Sequence, residues 1–152
     1  MQPRIILPMT RKLVPSIERI LLTFWAGSLW VTGFVVAPVL FAELGDRALA
    51  GSTAGTLFTL TSYIGLACGA LLLVLNGVTH KRINWRALAI TGMLLLIVIG
   101  QFVITPMVAD LRVQGLMDTP RFGQLHGVAS VLFLLTSILG LVLVAAGQTR
   151  ED

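Results

Sequence analysis

Four long apolar runs, separated by short polar stretches, make up most of the chain. Ile17 to Phe41, Thr53 to Val78, Arg86 to Pro106 and Gln124 to Gly147 are each long enough to cross a hydrocarbon core of about 30 Å, which takes roughly 20 residues of helix. Backbone polar groups cannot face lipid unpaired, so runs of this kind predict helices. Polar and small residues fall in stripes within them. His126, Ser130, Ser137 and Gly140 recur along one face of the fourth helix, and Phe58, Ser62, Gly65, Gly69 and Asn76 along one face of the second. Both stripes are expected to face the bundle interior, where close packing and interhelical hydrogen bonds replace the hydrophobic drive that lipid removes. Gly65-x-x-x-Gly69 marks a close helix approach. The pattern predicts an all-α polytopic membrane protein, a four-transmembrane-helix bundle. Residues 1–15 form a cytoplasmic lead, 16–147 the transmembrane domain (spans about 17–41, 53–78, 86–106 and 124–147) and 148–152 a cytoplasmic tail.

The second half repeats the first at the offset that carries Phe34 to Phe102. Phe34-Val35-Val36-Ala37-Pro38 aligns with Phe102-Val103-Ile104-Thr105-Pro106, and Gly55-x-Leu57-(x)4-Ser62 aligns with Gly123-x-Leu125-(x)4-Ser130. The shared proline, glycine and serine carry the match, because leucine identities mean little in so apolar a chain. The arrangement implied is two parallel two-helix repeats related by an axis along the membrane normal. The copies differ most in chemistry at Phe58 against His126.

Composition agrees with a bilayer protein. The chain is 56% hydrophobic and 12% charged with a mean hydropathy of +0.91, too little polar surface to cover a soluble globule of 152 residues. The loops and tails are too short for a separate soluble domain. Arg4, Arg11, Lys12, Arg19, Lys81, Arg82, Arg86 and Arg150 fall on one side of the spans, and Arg47, Arg112 and Arg121 on the other. The positive-inside rule then makes both termini cytoplasmic, as in a multi-pass protein of a bacterial inner membrane. The pI of about 10.2 reflects anchoring to an anionic inner surface rather than affinity for nucleic acid. The first apolar run is too long for a signal-peptide core and lacks a clear cleavage site, so it reads as a retained anchor. Pro3, Pro8 and Pro15 are expected to stop the first helix from extending backwards, with Ser16 as its cap. Cys68 lies inside a span with no cysteine to pair with, and reads as a packing residue beside Gly65 and Gly69 rather than a metal ligand.

Candidate chemistry is sparse. Pro38 and Pro106 occupy equivalent points of the two copies, where each is expected to kink or end its helix. A carbonyl freed near residue 34 or 102 then needs a donor from Gln101, Thr105 or Ser130. His126 is the one histidine expected at membrane depth, and ionisable groups there are functional candidates. A neutral imidazole can ligate haem iron, copper or zinc through one nitrogen while Gln101 or Ser130 holds the other, and Met107 and Met117 on the same side would suit copper(I). One histidine and two loop methionines favour the plainer reading, an interfacial histidine hydrogen-bonded to its neighbours and no cofactor, with haem or copper as the alternative. His80 falls in the inner loop, far from His126. Asn84 reads as a helix cap, Trp85 as an interface anchor, and Trp25 and Trp30 as bundle filling or lipid contacts. Glu18, Glu43 and Asp110 lie at span ends, which argues against proton pumping. The chain has no glycine-rich phosphate loop, His-Glu-x-x-His or Cys-x-x-Cys.

Trp25-x-Gly27, Ala37-Pro38-Val39-Leu40-Phe41, Ala50-Gly51 with Gly55-x-Leu57-Phe58, and Phe122-x-x-Leu125-His126-x-x-x-Ser130 resemble the domain-of-unknown-function family related to eukaryotic transmembrane protein 205. The resemblance covers about Ile17 to Val144 and implies a small four-helix membrane protein with no established activity. Copper-resistance protein D and a haem-bearing protoporphyrinogen oxidase are more distantly similar, and imply a ligand role for His126. The expected function is that of a structural or interaction component of the inner membrane, in contact with lipid and with a second copy or a membrane partner, its Gly-rich stripes at the protomer contact. The alternatives are a haem- or copper-binding protein using His126 and a small-solute permeability or resistance factor.

Overall fold

The computed structural model describes residues 7–79 and 84–147, with side chains from residue 13 onward, and the regular structure there is entirely helical. Four stretches are long and apolar enough to cross a membrane: Leu13–Glu43, Arg47–Thr79, Trp85–Val113 and Pro120–Ala145. The first span comprises α1 (Leu7–Trp30), a π-helical segment (Val31–Val36) and α2 (Ala37–Glu43). The second is α3 (Arg47–Thr79). The third comprises α4 (Trp85–Ile99), a second π-helical segment (Gly100–Ile104) and α5 (Thr105–Val113), and the fourth is α6 (Pro120–Ala145). α1 packs on α3, α3 on α4, α4 on α6 and α6 back on α1, a closed ring of antiparallel neighbours.

Local chemistry explains the helix ends. Asp46 starts α3 by accepting the amides of Ala48 at 2.7 Å and Leu49 at 3.3 Å on its Oδ1. Asn84 caps α4 as expected, accepting from the Ala87 amide at 2.8 Å. Thr119 caps α6, with Pro120 in the first turn where its missing N–H costs nothing. α5 ends at Val113, and Gly115 turns the chain just beyond it with a φ of +71° that suits glycine, while the Leu116 amide reaches back to the Leu111 carbonyl at 2.9 Å.

Two expectations about proline give way here. α1 begins at Leu7 and runs through Pro15, so Ser16 lies inside the helix instead of capping it. Pro15 removes one backbone bond, to the residue-11 carbonyl, a loss that polar surroundings at a span end can absorb. Nor do Pro38 and Pro106 end their helices, which continue to Glu43 and Val113. Each proline instead follows a π-helical turn. The last amide before it bonds five residues back, Ala37 to Thr32 and Thr105 to Gly100. The wider turn spreads the disruption over several residues in place of a break.

Only 22% to 28% of the apolar stretch of each span is buried within the protein, which leaves most of each helix surface for lipid. The core gathers Leu22, Trp25 and Leu29 from α1, Cys68 and Leu72 from α3, Ile90, Met93 and Ile97 from α4 and Leu143 from α6. Trp25, at 0% exposure, fills the centre. Its indole lies against Gly65 and Gly69, so close that a Cβ on Gly65 would meet Nε1 at 2.5 Å. Leu94 fills the other side of the Gly69 notch. The glycine pair therefore serves a contact inside the protomer, and the expectation that it lies between protomers is displaced by the tryptophan that occupies it.

The polar stripes fare differently. On α3, Gly65, Gly69 and Asn76 are buried and Phe58 and Ser62 half-buried, as the periodicity predicts. On α6, Ser137 and Gly140 are buried while His126 and Ser130 are exposed. At 100° per residue His126 stands only 20° round α6 from the buried Ser137, so its exposure follows its place in the second turn after Pro120 and not its face of the helix.

Candidate functional site

Two layers of polar contacts cross the bundle. In the half of the bundle toward α2 and α5, the Thr32 and Thr61 hydroxyls are 3.0 Å apart, and Gln101 Nε2 donates to Thr59 Oγ1 at 3.3 Å. These pairs tie each π-helical segment to α3, one from each side. Thr61 also donates to its own helix at Leu57, as Ser62 does at Phe58. Between the layers the Phe58 ring meets Phe133 edge-on, centroids 5.0 Å apart, and Phe133 presses into the space over Gly33. Ser137 is wholly buried at the centre, and its hydroxyl has no hydrogen-bond partner among the described residues.

The second layer, toward the start of α4, joins Asn76 to Asn84, Nδ2 to Oδ1 at 3.3 Å. Asn84 therefore both caps α4 and satisfies a buried amide on α3. Asn84→Ala is expected to lower stability by about 2 kcal/mol, roughly half from the lost cap and half from the unpaired Asn76 amide. Asn84→Asp keeps both acceptors and should melt close to the parent in detergent. Beside this pair a cleft of about 260 Å³ opens between α1, α4 and α6, lined by Glu18, Arg19, Thr23, Arg86 and Leu143. Glu18 is only 8% exposed, and Arg86 donates to the Gly147 carbonyl and lies over the Trp85 ring.

At the end of the bundle where α5 meets α6 a second cleft, of about 270 Å³, is lined by Met107, Asp110, Leu111, Gln114, Arg121 and Leu125, among others. Met107 thus reaches a cleft wall, but His126 does not join it. Its ring stacks on Phe122, centroids 6.1 Å apart and 3° from parallel, on the exposed side of α6. Met117 is half-buried in the preceding loop. Gln101 and Ser130, expected as partners for His126, are engaged elsewhere: Gln101 with Thr59, and Ser130 with the His126 carbonyl, to which its hydroxyl donates at 2.9 Å. Of the donors expected near the prolines, Thr105 alone serves a π-helical segment, bonding the Gly100 carbonyl at 2.9 Å. Pro38 and Pro106 themselves are exposed. Among the described residues no three His, Cys, Asp or Glu side chains come together as a metal site. His80 lies outside the described residues.

Sequence reading missed Arg112 and Glu18 as buried or half-buried charges. Arg112 extends over Gly51 and Gly55 of α3, its Nη2 and Nη1 each 3.5 Å from where a Cβ would stand. The signal available was a basic residue in the final turn of an apolar run, which reads equally well as an ordinary interface anchor.

The family described as a domain of unknown function (DUF4149) matches residues 20–116, from the first span through the end of the third. No curated protein and no solved structure matches the chain.

Proposed function

The chain belongs to the DUF4149 family of domains of unknown function, and from that premise we propose that it is an integral membrane protein acting as a structural or interaction component of its bilayer. One observation carries the reading. Side chains from all four spans (Trp25, Leu72, Met93, Leu143 and Ser137) meet at the bundle axis and are almost wholly buried. A solute path or a flat cofactor inside the protomer would have to displace them. The surface left for recognition is the broad apolar exterior, which suits lipid, a second copy or a membrane partner. Gly65 and Gly69 are occupied by Trp25, so a contact between copies would use another face. The charge asymmetry supports cytoplasmic termini in a bacterial inner membrane. The two π-helical segments favour an internal duplication, since Ala37 and Thr105, which close them, stand at the repeat offset. The motifs around Pro38 and His126 support kinship with the transmembrane protein 205-related family.

A second reading rests on the exposed imidazole of His126, which keeps ring nitrogens available for haem or copper shared with a partner. Two measurements separate the readings. The purified protein is expected to give no Soret band and no stoichiometric copper in reduced and oxidised spectra with elemental analysis, and to associate by light scattering or cross-linking in membranes. A band or metal that vanishes in His126→Ala would replace the structural reading with the cofactor one. Solute flux into proteoliposomes above that of empty vesicles would favour the permeability factor instead.

A further inference from the structure

Among the described residues, Arg112 is a cation held in place without a counter-charge. It stands in the last turn of α5, and its guanidinium lies across Gly51 and Gly55 of α3, with a terminal nitrogen 3.5 Å from where a Cβ would stand at each. Phe41 of α2 also borders Gly51, with its ring 3.8 Å from the position of a Cβ. Nε is enclosed and has no acceptor, whereas the two terminal nitrogens are not enclosed. Among the described residues Arg112 makes no ion pair or hydrogen bond through its side chain. The nearby acids are committed elsewhere or turned outward. Asp46 caps α3, Asp110 accepts from Gln114 Nε2 at 2.8 Å, and Glu43 is exposed.

Depth makes the missing partner matter. With a rise of 1.5 Å per residue, Gly51 and Gly55 lie about 6 and 12 Å along α3 from its start at Arg47. The guanidinium therefore sits below the outer loops, near the boundary between headgroups and hydrocarbon. An unpaired charge is costly there, and the proximity of the α3 N-terminus adds positive potential. The anion present at that depth all around the bundle is lipid phosphate, and a planar guanidinium matches phosphate oxygens through parallel N–H donors.

We propose that Arg112, seated over Gly51 and Gly55, binds the phosphate of an anionic phospholipid at the outer end of the bundle. The terminal nitrogens, seated beside Gly51 and Gly55, supply the donors. This assignment goes beyond the structural reading above and stands or falls separately from it, since a cofactor protein could carry the same lipid site.

The test is native mass spectrometry of the full chain in neutral detergent with added phosphatidylglycerol or phosphatidylcholine, and separately with inorganic phosphate. The expected result is retention of phosphatidylglycerol over phosphatidylcholine. Arg112→Gln should weaken it about tenfold, the scale of one lost charge-assisted pair. Gly55→Leu should weaken it by displacing the guanidinium, while Arg121→Gln, in the neighbouring cleft, retains it. If Gly55→Leu does not fold, Arg112→Gln decides alone, its folding checked by circular dichroism. Unchanged lipid retention in folded Arg112→Gln would overturn the proposal. Arg112-dependent binding of inorganic phosphate without lipid retention would also overturn it, and would assign the site to a soluble phosphate compound.

Discussion

Trp25→Ala is expected to destabilise the bundle by about 3–5 kcal/mol, the usual cost of emptying a large aromatic site in a packed core. In lipid no hydrophobic drive closes the gap afterwards, so the lost contacts are felt directly. Trp25 touches α3 at Gly65 and Gly69, in a groove that Ile97 of α4 also borders. The same groove predicts the effect of filling it from the other side. Gly65→Leu would bring a Cβ to 2.5 Å from Trp25 Nε1 and 3.0 Å from Ile97 Cδ1, with bulk beyond it and a neighbour on each side. Overpacking of this kind costs about 1–3 kcal/mol, sometimes more. Combining Gly65→Leu with Trp25→Ala should recover part of the loss, because the leucine enters the space the indole leaves. Trp25→Phe should be the mildest of the set. The indole N–H has no partner among the described residues, so the change forfeits packing but no hydrogen bond. Thermal unfolding in detergent, followed by circular dichroism, reads all four variants. Independent, additive losses for Gly65→Leu and Trp25→Ala would show that the two residues do not share a groove.

Gly33→Ala is expected to cost about 1–3 kcal/mol through a single contact. A Cβ at this position in the first π-helical segment would lie 2.5 and 2.6 Å from Cε1 and Cζ of Phe133. A free ring would simply swing aside. This one is held edge-on against Phe58, an arrangement worth about 0.5–1.5 kcal/mol beyond its buried area. Phe133→Leu should therefore lose some stability alone yet relieve much of the penalty of Gly33→Ala, and a double-mutant cycle measures that coupling. A loss from Gly33→Ala that Phe133→Leu leaves untouched would place the cause in the π-helical backbone instead of the ring contact.

Much of the architecture was legible from residue order. The four spans, the Asn84 cap and the close approach at Gly65 and Gly69 follow from runs of apolar residues and short-range chemistry. Proline was legible as a position but not as an effect. Pro38 and Pro106 read as kinks or helix ends, and the structure rules out the ends: π-helical turns ahead of them keep both helices continuous. The candidate chemistry was least legible. Ser130 and Ser137 have equal claims to the interior in sequence, yet Ser130 faces out, satisfied by its own backbone, and Ser137 is enclosed. Arg112 gains its interest from two glycines on another span.

A span is recognisable because entry into a bilayer depends on the apolarity of about 20 consecutive residues, a property the chain carries locally. Orientation within the bundle has no such local signal, because lipid is as apolar as the protein core and a leucine or tryptophan gains nothing by choosing one over the other. Trp25 and Trp30 share a helix and a chemistry, yet one is wholly buried and the other 38% exposed. Shape separated them: Gly65 and Gly69 offer a groove to Trp25, while Trp30 turns outward against Phe34. Complementarity of that kind exists only once the spans are assembled.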